Sequence, residues 1–330
     1  MLFQRALLAT AFATVNGALA CTNCTNESPE PITLSPAPWT LKGDIYGLFL
    51  LPGVGIPLTG NSLPIKTFPP LERQHPESIA GEYIGKLGMI QVIRYTDSPV
   101  GPYDELLIVP GFFSYEDDGQ REQAVRVSRI YVSQKYTEWN GRANWNIPKH
   151  MARFDWSSAP DGSTTVRIYP FDTSNDPAES SASEKPFYQM TFSPLLPQNL
   201  LSNTLGSLFP GGLNLNPSVP FSTDLYPWLG VNATLVQPPI PLGNDIFGGL
   251  AEGGPNWKSV IPGQSSKQTT FGTINMDQSG GDGEETGVNA AGDEFFPNFW
   301  PGLARINAGI RMLDATITFS GATEMPGVIV

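Results

Sequence analysis

The sequence predicts a mainly β protein with few, short helices, and three observations carry that prediction. Glycine and proline number 34 and 32 in 330 residues, and charged residues make up only 15%. Short runs rich in Val, Ile, Phe, Tyr and Thr recur from Leu41 to the end of the chain. Frequent turn formers between short apolar runs favour strands over helical bundles. Long amphipathic helices are absent, and the best short candidate, within 291–307, is limited by Pro297 and Pro301.

Taken in order, the chain opens with Arg5, an apolar run over residues 6–15 and a small-x-small site at Ala18-Leu19-Ala20. This reads as a signal peptide over 1–20, with a mature start at Cys21 and a secreted product. The apolar run is shorter than the roughly 20 residues that a bilayer span requires. No later stretch is long and apolar enough either, so no membrane span is expected. Residues 21–38 are polar and Pro-rich and read as a tail. The tail holds both cysteines, Cys21 and Cys24, which fit a small local disulfide or no function. N-x-S/T sequons at Asn23, Asn26 and Asn232 fit N-glycosylation on a secretory route.

The remainder, 39–330, reads as a single domain. Strands are expected over 45–51, 84–95, 106–109, 124–136, 151–156, 164–169, 187–192, 269–276 and 312–319. Across 124–136 the alternation is imperfect, with Val125, Val127, Ile130 and Val132 interleaved with Arg126, Ser128, Arg129 and Ser133. Two stretches read as insertions. Residues 194–263 are rich in Leu, Pro, Asn and Gly, too apolar for a solvated linker, and are expected to pack on the body over a cavity or an interface. Residues 277–294 are acidic and Gly-rich, lack the ligand spacing of an EF-hand, and read as a mobile surface loop.

Counting excludes several chemistries. The net charge of −12, without any Lys/Arg run, argues against nucleic acid and anionic membranes. His75 and His150 are the only histidines, which leaves little room for a His-based triad or a His-rich metal site. There is no H-E-x-x-H, P-loop or G-x-S-x-G motif, and Gly53-Val54-Gly55 lacks the later glycine of a dinucleotide site. Asp117-Asp118 and Glu284-Glu285 fall in turn-like polar stretches. No metal and no organic cofactor is expected.

The most informative stretch is residues 140–156, NGRANWNIPKHMARFDW. Gly141, Arg142, Trp145, Pro148, Lys149 and Ala152 fall, without a gap, in the pattern of the acetoacetate decarboxylase family's lysine segment. Upstream, Gly101-Pro102-Tyr103-Asp104-Glu105 resembles that family's G-P-Y-x-E. The resemblance spans roughly residues 40–195. It implies an antiparallel β cone or barrel enclosing a cavity, with Lys149 as a lysine that forms an imine with a ketone or β-keto acid. Acetoacetate decarboxylase is a standard instance of a lysine activated by desolvation or a cationic neighbour. Apolar neighbours Trp145, Ile147 and Met151 are expected to favour the neutral Lys149 amine, because desolvation disfavours charge.

The resemblance also carries roles to other positions. Glu105 stands as an acid or proton shuttle, or else as a structural carboxylate paired with an arginine. Tyr103 and Trp145 stand as cavity wall or core, and Arg142 as a buttress. Arg94, in the 84–95 strand, is the candidate arginine for substrate. His150 replaces the family's second lysine, and only when protonated would it repel a charge on Lys149. The function implied is a Schiff-base decarboxylase, with aldol condensation or dehydration on the same imine as variants. The alternative is a non-catalytic secreted binder of an apolar small molecule. The family's frequent assembly leaves a homo-oligomer open.

Overall fold

Long strands arise where β-branched and aromatic residues run between glycines and prolines, and they are bent where a glycine or bulge interrupts them. The computed structural model describes residues 32–50, 63, 65–172, 182–195, 219–225, 234–243, 251, 253–276 and 305–329. The first strands are β1 (Trp39–Leu50), β2 (Glu82–Gly85), β3 (Gly88–Asp97), β4 (Tyr103–Val109), β5 (Phe112–Asp117), β6 (Gln120–Val125) and β7 (Arg129–Val132). Helix α1 (Lys135–Trp145) leads into β8 (Lys149–Ser158), β9 (Thr164–Pro170), β10 (Tyr188–Pro194), β11 (Val219–Ser222) and β12 (Leu235–Gln237). The chain closes with β13 (Trp257–Val260), β14 (Pro262–Asn275), β15 (Arg305–Phe319), β16 (Thr323–Met325) and β17 (Val328–Ile329).

The large sheet runs β10-β9-β8-β7-β4-β3-β1-β15-β14-β11, and β10 also pairs with β14. That pairing closes the sheet on itself through β10 and β14, with the short β11 left as its terminal strand among the described residues. The predicted mainly β, barrel-like class therefore holds. A smaller sheet, β16-β13-β12-β6-β5-β17 with β2 on β5, covers part of the large one.

The two faces of the large sheet carry separate cores. On one face Tyr46, Val92, Leu106, Ile108, Tyr131, Val166, Ile168 and Phe192 pack together. There Tyr46 meets Trp156 of β8 and Phe192 of β10, each at 5.7 Å between ring centroids. The opposite face presents Leu41, Ile93, Tyr95, Tyr103, Ile130, Val132, Trp145 and Met151. This second face lies under the smaller sheet and α1.

Several elements depart from the sequence reading. The expected strand 84–95 is two strands in different sheets, separated where Gly85 (φ 77°) and Lys86 (φ 62°) adopt left-handed backbone. The hairpin β5–β6 turns at Asp118 (φ 48°) and Gly119 (φ 75°), a two-residue Asp-Gly turn of the kind that suits strand twist. The expected strand 124–136 is the end of β6, then β7, then the start of α1. Its alternation is imperfect because Arg126, Ser128 and Arg129 are buried along with the valines. Residues 305–307, the end of the helical candidate, belong to strand β15.

The signal peptide, both cysteines, all three sequons, Gly53-Val54-Gly55 and residues 277–294 lie outside the described residues. Within 194–263 the described pieces form β11, β12 and β13, which join the two sheets. No helix among the described residues is long and apolar enough to cross a membrane.

Candidate functional site

The site is built around the crossover β7–α1–β8. β7 and β8 pair in parallel, with Ile130 opposite Lys149, and parallel neighbours require a connection that returns the chain to the same end. Helix α1 provides it. Gln134 caps its start by accepting a hydrogen bond from the Thr137 amide at 3.2 Å, and Asn146 ends it in left-handed conformation (φ 55°). The Asn146 and Ile147 amides close back onto the carbonyls of Arg142 and Gly141, the pattern of a helix C-terminal motif. Three residues later Lys149 opens β8.

This tight return lays the Lys149 side chain across the helix. A Cβ on Gly141 would stand 2.5 Å from Lys149 Cδ and 2.7 Å from Cε. Any larger residue there would force the Lys149 stem to shift, through contact rather than backbone conformation. The amine then reaches a polar cluster. Lys149 Nζ donates to Glu105 Oε2 at 2.7 Å and to Thr137 Oγ1 at 3.0 Å. It stands 5.2 Å from the centre of the Tyr103 ring. The second oxygen of Glu105 accepts from the Tyr95 hydroxyl at 3.0 Å. Lys149 and Glu105 are both about 95% buried. Burial and the Glu105 charge push the Tyr95 and Tyr103 phenols well above their ordinary range, so both stay neutral hydroxyls.

This cluster opens into a cavity of about 660 Å³ between the large sheet and the smaller one. Its walls are mostly apolar: Leu41, Leu107, Val109, Val125 and Trp145 are among them. Trp145 stacks edge-on against Trp39 at 5.1 Å and donates to the Ser320 carbonyl at 2.8 Å. It is therefore core and wall together. Phe221 and Leu235, from the stretch read as an insertion, also line the cavity.

Of the residues singled out in the sequence, Lys149, Glu105, Tyr103 and Trp145 meet at this cavity. His150 and Arg94 do not. Consecutive strand residues face opposite sides, so His150 points away from Lys149, toward the other core. There its Nε2 lies 2.7 Å from Glu72 Oε2, and Nδ1 lies 3.5 Å from Asp172 Oδ2. Arg94 is exposed on that same far face, with its guanidinium 5.6 Å from the Trp156 ring centre. A direct role for either at the cavity is corrected accordingly.

Arg142 is a buttress with a carboxylate partner. It donates to Glu72 Oε1 at 2.7 Å and to the carbonyls of Ala251 and Pro241 at 2.9 and 2.7 Å. It also reaches the Lys149 carbonyl at 3.4 Å. Burial by itself would raise the Glu72 carboxyl, but the charges of His150 and Arg142 outweigh it and hold Glu72 far below the ordinary carboxylate range.

Tyr95 and Thr137 were not found from the sequence. Tyr95 is the strand partner of Tyr103, a register that no local pattern reveals. Thr137 lies in the helix that the sequence reading missed. Among the described residues no group of three or more His, Cys, Asp or Glu side chains is arranged to hold a metal ion.

No protein-family model matches the chain, and no curated protein matches it. Solved structures do. One, described as structural studies of acetoacetate decarboxylase, aligns with a TM-score of 0.50 at 10% identity, covering 89% of this chain and 91% of that one. Acetoacetate decarboxylase from Legionella pneumophila subsp. pneumophila str. Philadelphia 1 gives 0.47 at 12% identity, covering 90% and 92%. An acetoacetate decarboxylase-like enzyme from Sphingomonas wittichii RW1 gives 0.47 at 8%, covering 91% and 97%. The likeness is one of fold, and the fold is acetoacetate decarboxylase-like.

Proposed function

We propose that this chain is an enzyme that uses Lys149 to form an imine with a small-molecule ketone or β-keto acid. The observation that carries the reading is the buried Lys149–Glu105 ion pair at 2.7 Å, at one end of a mostly apolar cavity. A buried ion pair is weak evidence for stability, since desolvation offsets much of the attraction. A lysine amine beside a proton acceptor is what carbonyl condensation requires.

Glu105 takes a proton from the Lys149 ammonium, and the freed amine attacks the carbonyl carbon. The resulting carbinolamine loses its hydroxyl as water, with Glu105 returning the proton. Tyr95, donating to the other Glu105 oxygen, keeps the carboxylate aimed. With a β-keto acid bound, the carbon–carbon bond to the carboxylate breaks. Its electrons pass to the iminium nitrogen, CO₂ leaves, and an enamine remains. Protonation of the enamine carbon and hydrolysis of the imine release product and restore Lys149. Aldol condensation or dehydration would use the same iminium.

The test is borohydride reduction in the presence of β-keto acids and ketones, followed by mass mapping. A reduced adduct on Lys149, absent from Lys149→Ala, is expected. A folded protein that yields no adduct on Lys149 would sink the proposal.

A further inference from the structure

The cavity extends far beyond the lysine. Tyr95 and Met89 on β3, and Tyr103 and Val109 on β4, all line it, and the two strands pair with Tyr95 opposite Tyr103 and Met89 opposite Val109. Each strand therefore walls the cavity over six residue steps, about 20 Å at a rise of roughly 3.3 Å per residue. Lys149 and Glu105 sit toward the Tyr95–Tyr103 end. The opposite end is rimmed by Lys86 and Leu87, both exposed. Between the two ends the wall is mostly apolar, with Phe49, Leu107 and Phe112 added to Met89 and Val109, and its polar members Gln91 and Gln264 spend their amides on each other at 3.0 and 2.9 Å. Lys86 itself lies 5.2 Å from the Phe112 ring centre.

A three- or four-carbon keto acid would occupy only the lysine end of such a space and leave most of the apolar wall unfilled. Resting on the imine reading, we propose that the substrate is a long-chain carbonyl compound, with a carbonyl at one end of an unbranched apolar chain of about ten carbons. The carbonyl meets Lys149 while the chain lies along β3 and β4 toward Leu87. This chemistry is shared by long-chain methyl ketones and long-chain 3-oxo acids. Burial of each methylene favours binding by about fourfold in water-to-apolar transfer, so chain length dominates recognition.

The experiment is imine trapping on the full chain with matched pairs: 2-undecanone against 2-butanone, and 3-oxododecanoate against acetoacetate. The half-saturating concentration for labelling Lys149 is expected to fall at least about a hundredfold within each pair. Val109→Trp, which fills the wall far from Lys149, is expected to collapse that ratio. Labelling of long and short members at similar concentrations would overturn the chain-length inference and leave the imine reading standing. No labelling of Lys149 by any member would instead overturn the imine reading. Thermal stabilisation by 1-undecanol, which forms no imine, then reports on the apolar channel alone, and its absence would overturn the channel as well. If only the ketones or only the acids label Lys149, that class identifies the head group the lysine end accepts, and equal labelling by its long and short members overturns the chain-length proposal.

Discussion

At the scale of single residues, the site depends on how one carboxylate is held. Glu105 touches both Lys149 and Tyr95, so it can move a proton without changing position. Glu105→Gln keeps the shape of the side chain but cannot accept that proton. The expected result is an imine-forming rate lower by about 10²–10⁴, the usual contribution of a positioned acid–base group. Stopped-flow labelling of Lys149 measures it. An unchanged rate would assign Glu105 a structural role only. The neutral phenols of Tyr95 and Tyr103 add no titrating charge below about pH 10.

At the scale of elements, helix α1 and strand β8 form one device. The helix buries Lys135, Thr137, Glu138, Asn140 and Arg142 rather than an apolar stripe. Each of the last two is held by specific hydrogen bonds, Asn140 to the Thr33 and Tyr136 carbonyls and Arg142 to Glu72 and two loop carbonyls. An apolar 3.6-residue period never develops, and the sequence reads as a continuation of the strand before it. Gly141 is the point of contact between the two elements. Gly141→Ala would push the Lys149 stem by several tenths of an ångström or more. We expect imine labelling to drop at least tenfold, as sub-ångström misplacement of a reacting group does. Circular dichroism should show the strands retained. Normal labelling would show that the stem relaxes without loss of aim.

At the scale of the whole molecule, one buried network ties distant parts together on the far side from the cavity. Glu72 comes from a short turn before β2, Arg142 from α1, His150 from β8 and Asp172 from just beyond β9. Burial, outweighing the nearby His150 and Arg129, raises the Asp172 carboxyl. Glu72 is the opposite case, with a folded-state value depressed below the unfolded value of about 4.3. Its contribution to stability is therefore fully present above about pH 4.3 and is lost as pH falls toward the folded value. Glu72→Gln leaves Arg142 without its buried counter-charge, and should cost about 3 kcal/mol at pH 7. Urea unfolding across pH 3–7 should show the gap between the two proteins closing below about pH 4. A gap that stays constant would mean that Glu72 contributes shape rather than charge.

The sequence by itself determined the β class, because turn formers and β-branched runs act locally. It also marked Lys149 and Trp145, and upstream Tyr103 and Glu105, as candidates, through two short segments of matched residue types. What only the tertiary structure decided is which of them face one another. Lys149 and His150 are adjacent in the chain, yet strand alternation sends them to different cores. Which core borders a cavity depends on strands β6 and β12, over twenty and over eighty residues away. Tyr95 joined the site through register with Tyr103, and Thr137 through a helix whose buried face is polar. Both depend on pairing between segments distant in sequence, and hydrophobic periodicity encodes only whether a residue is buried, not what it meets.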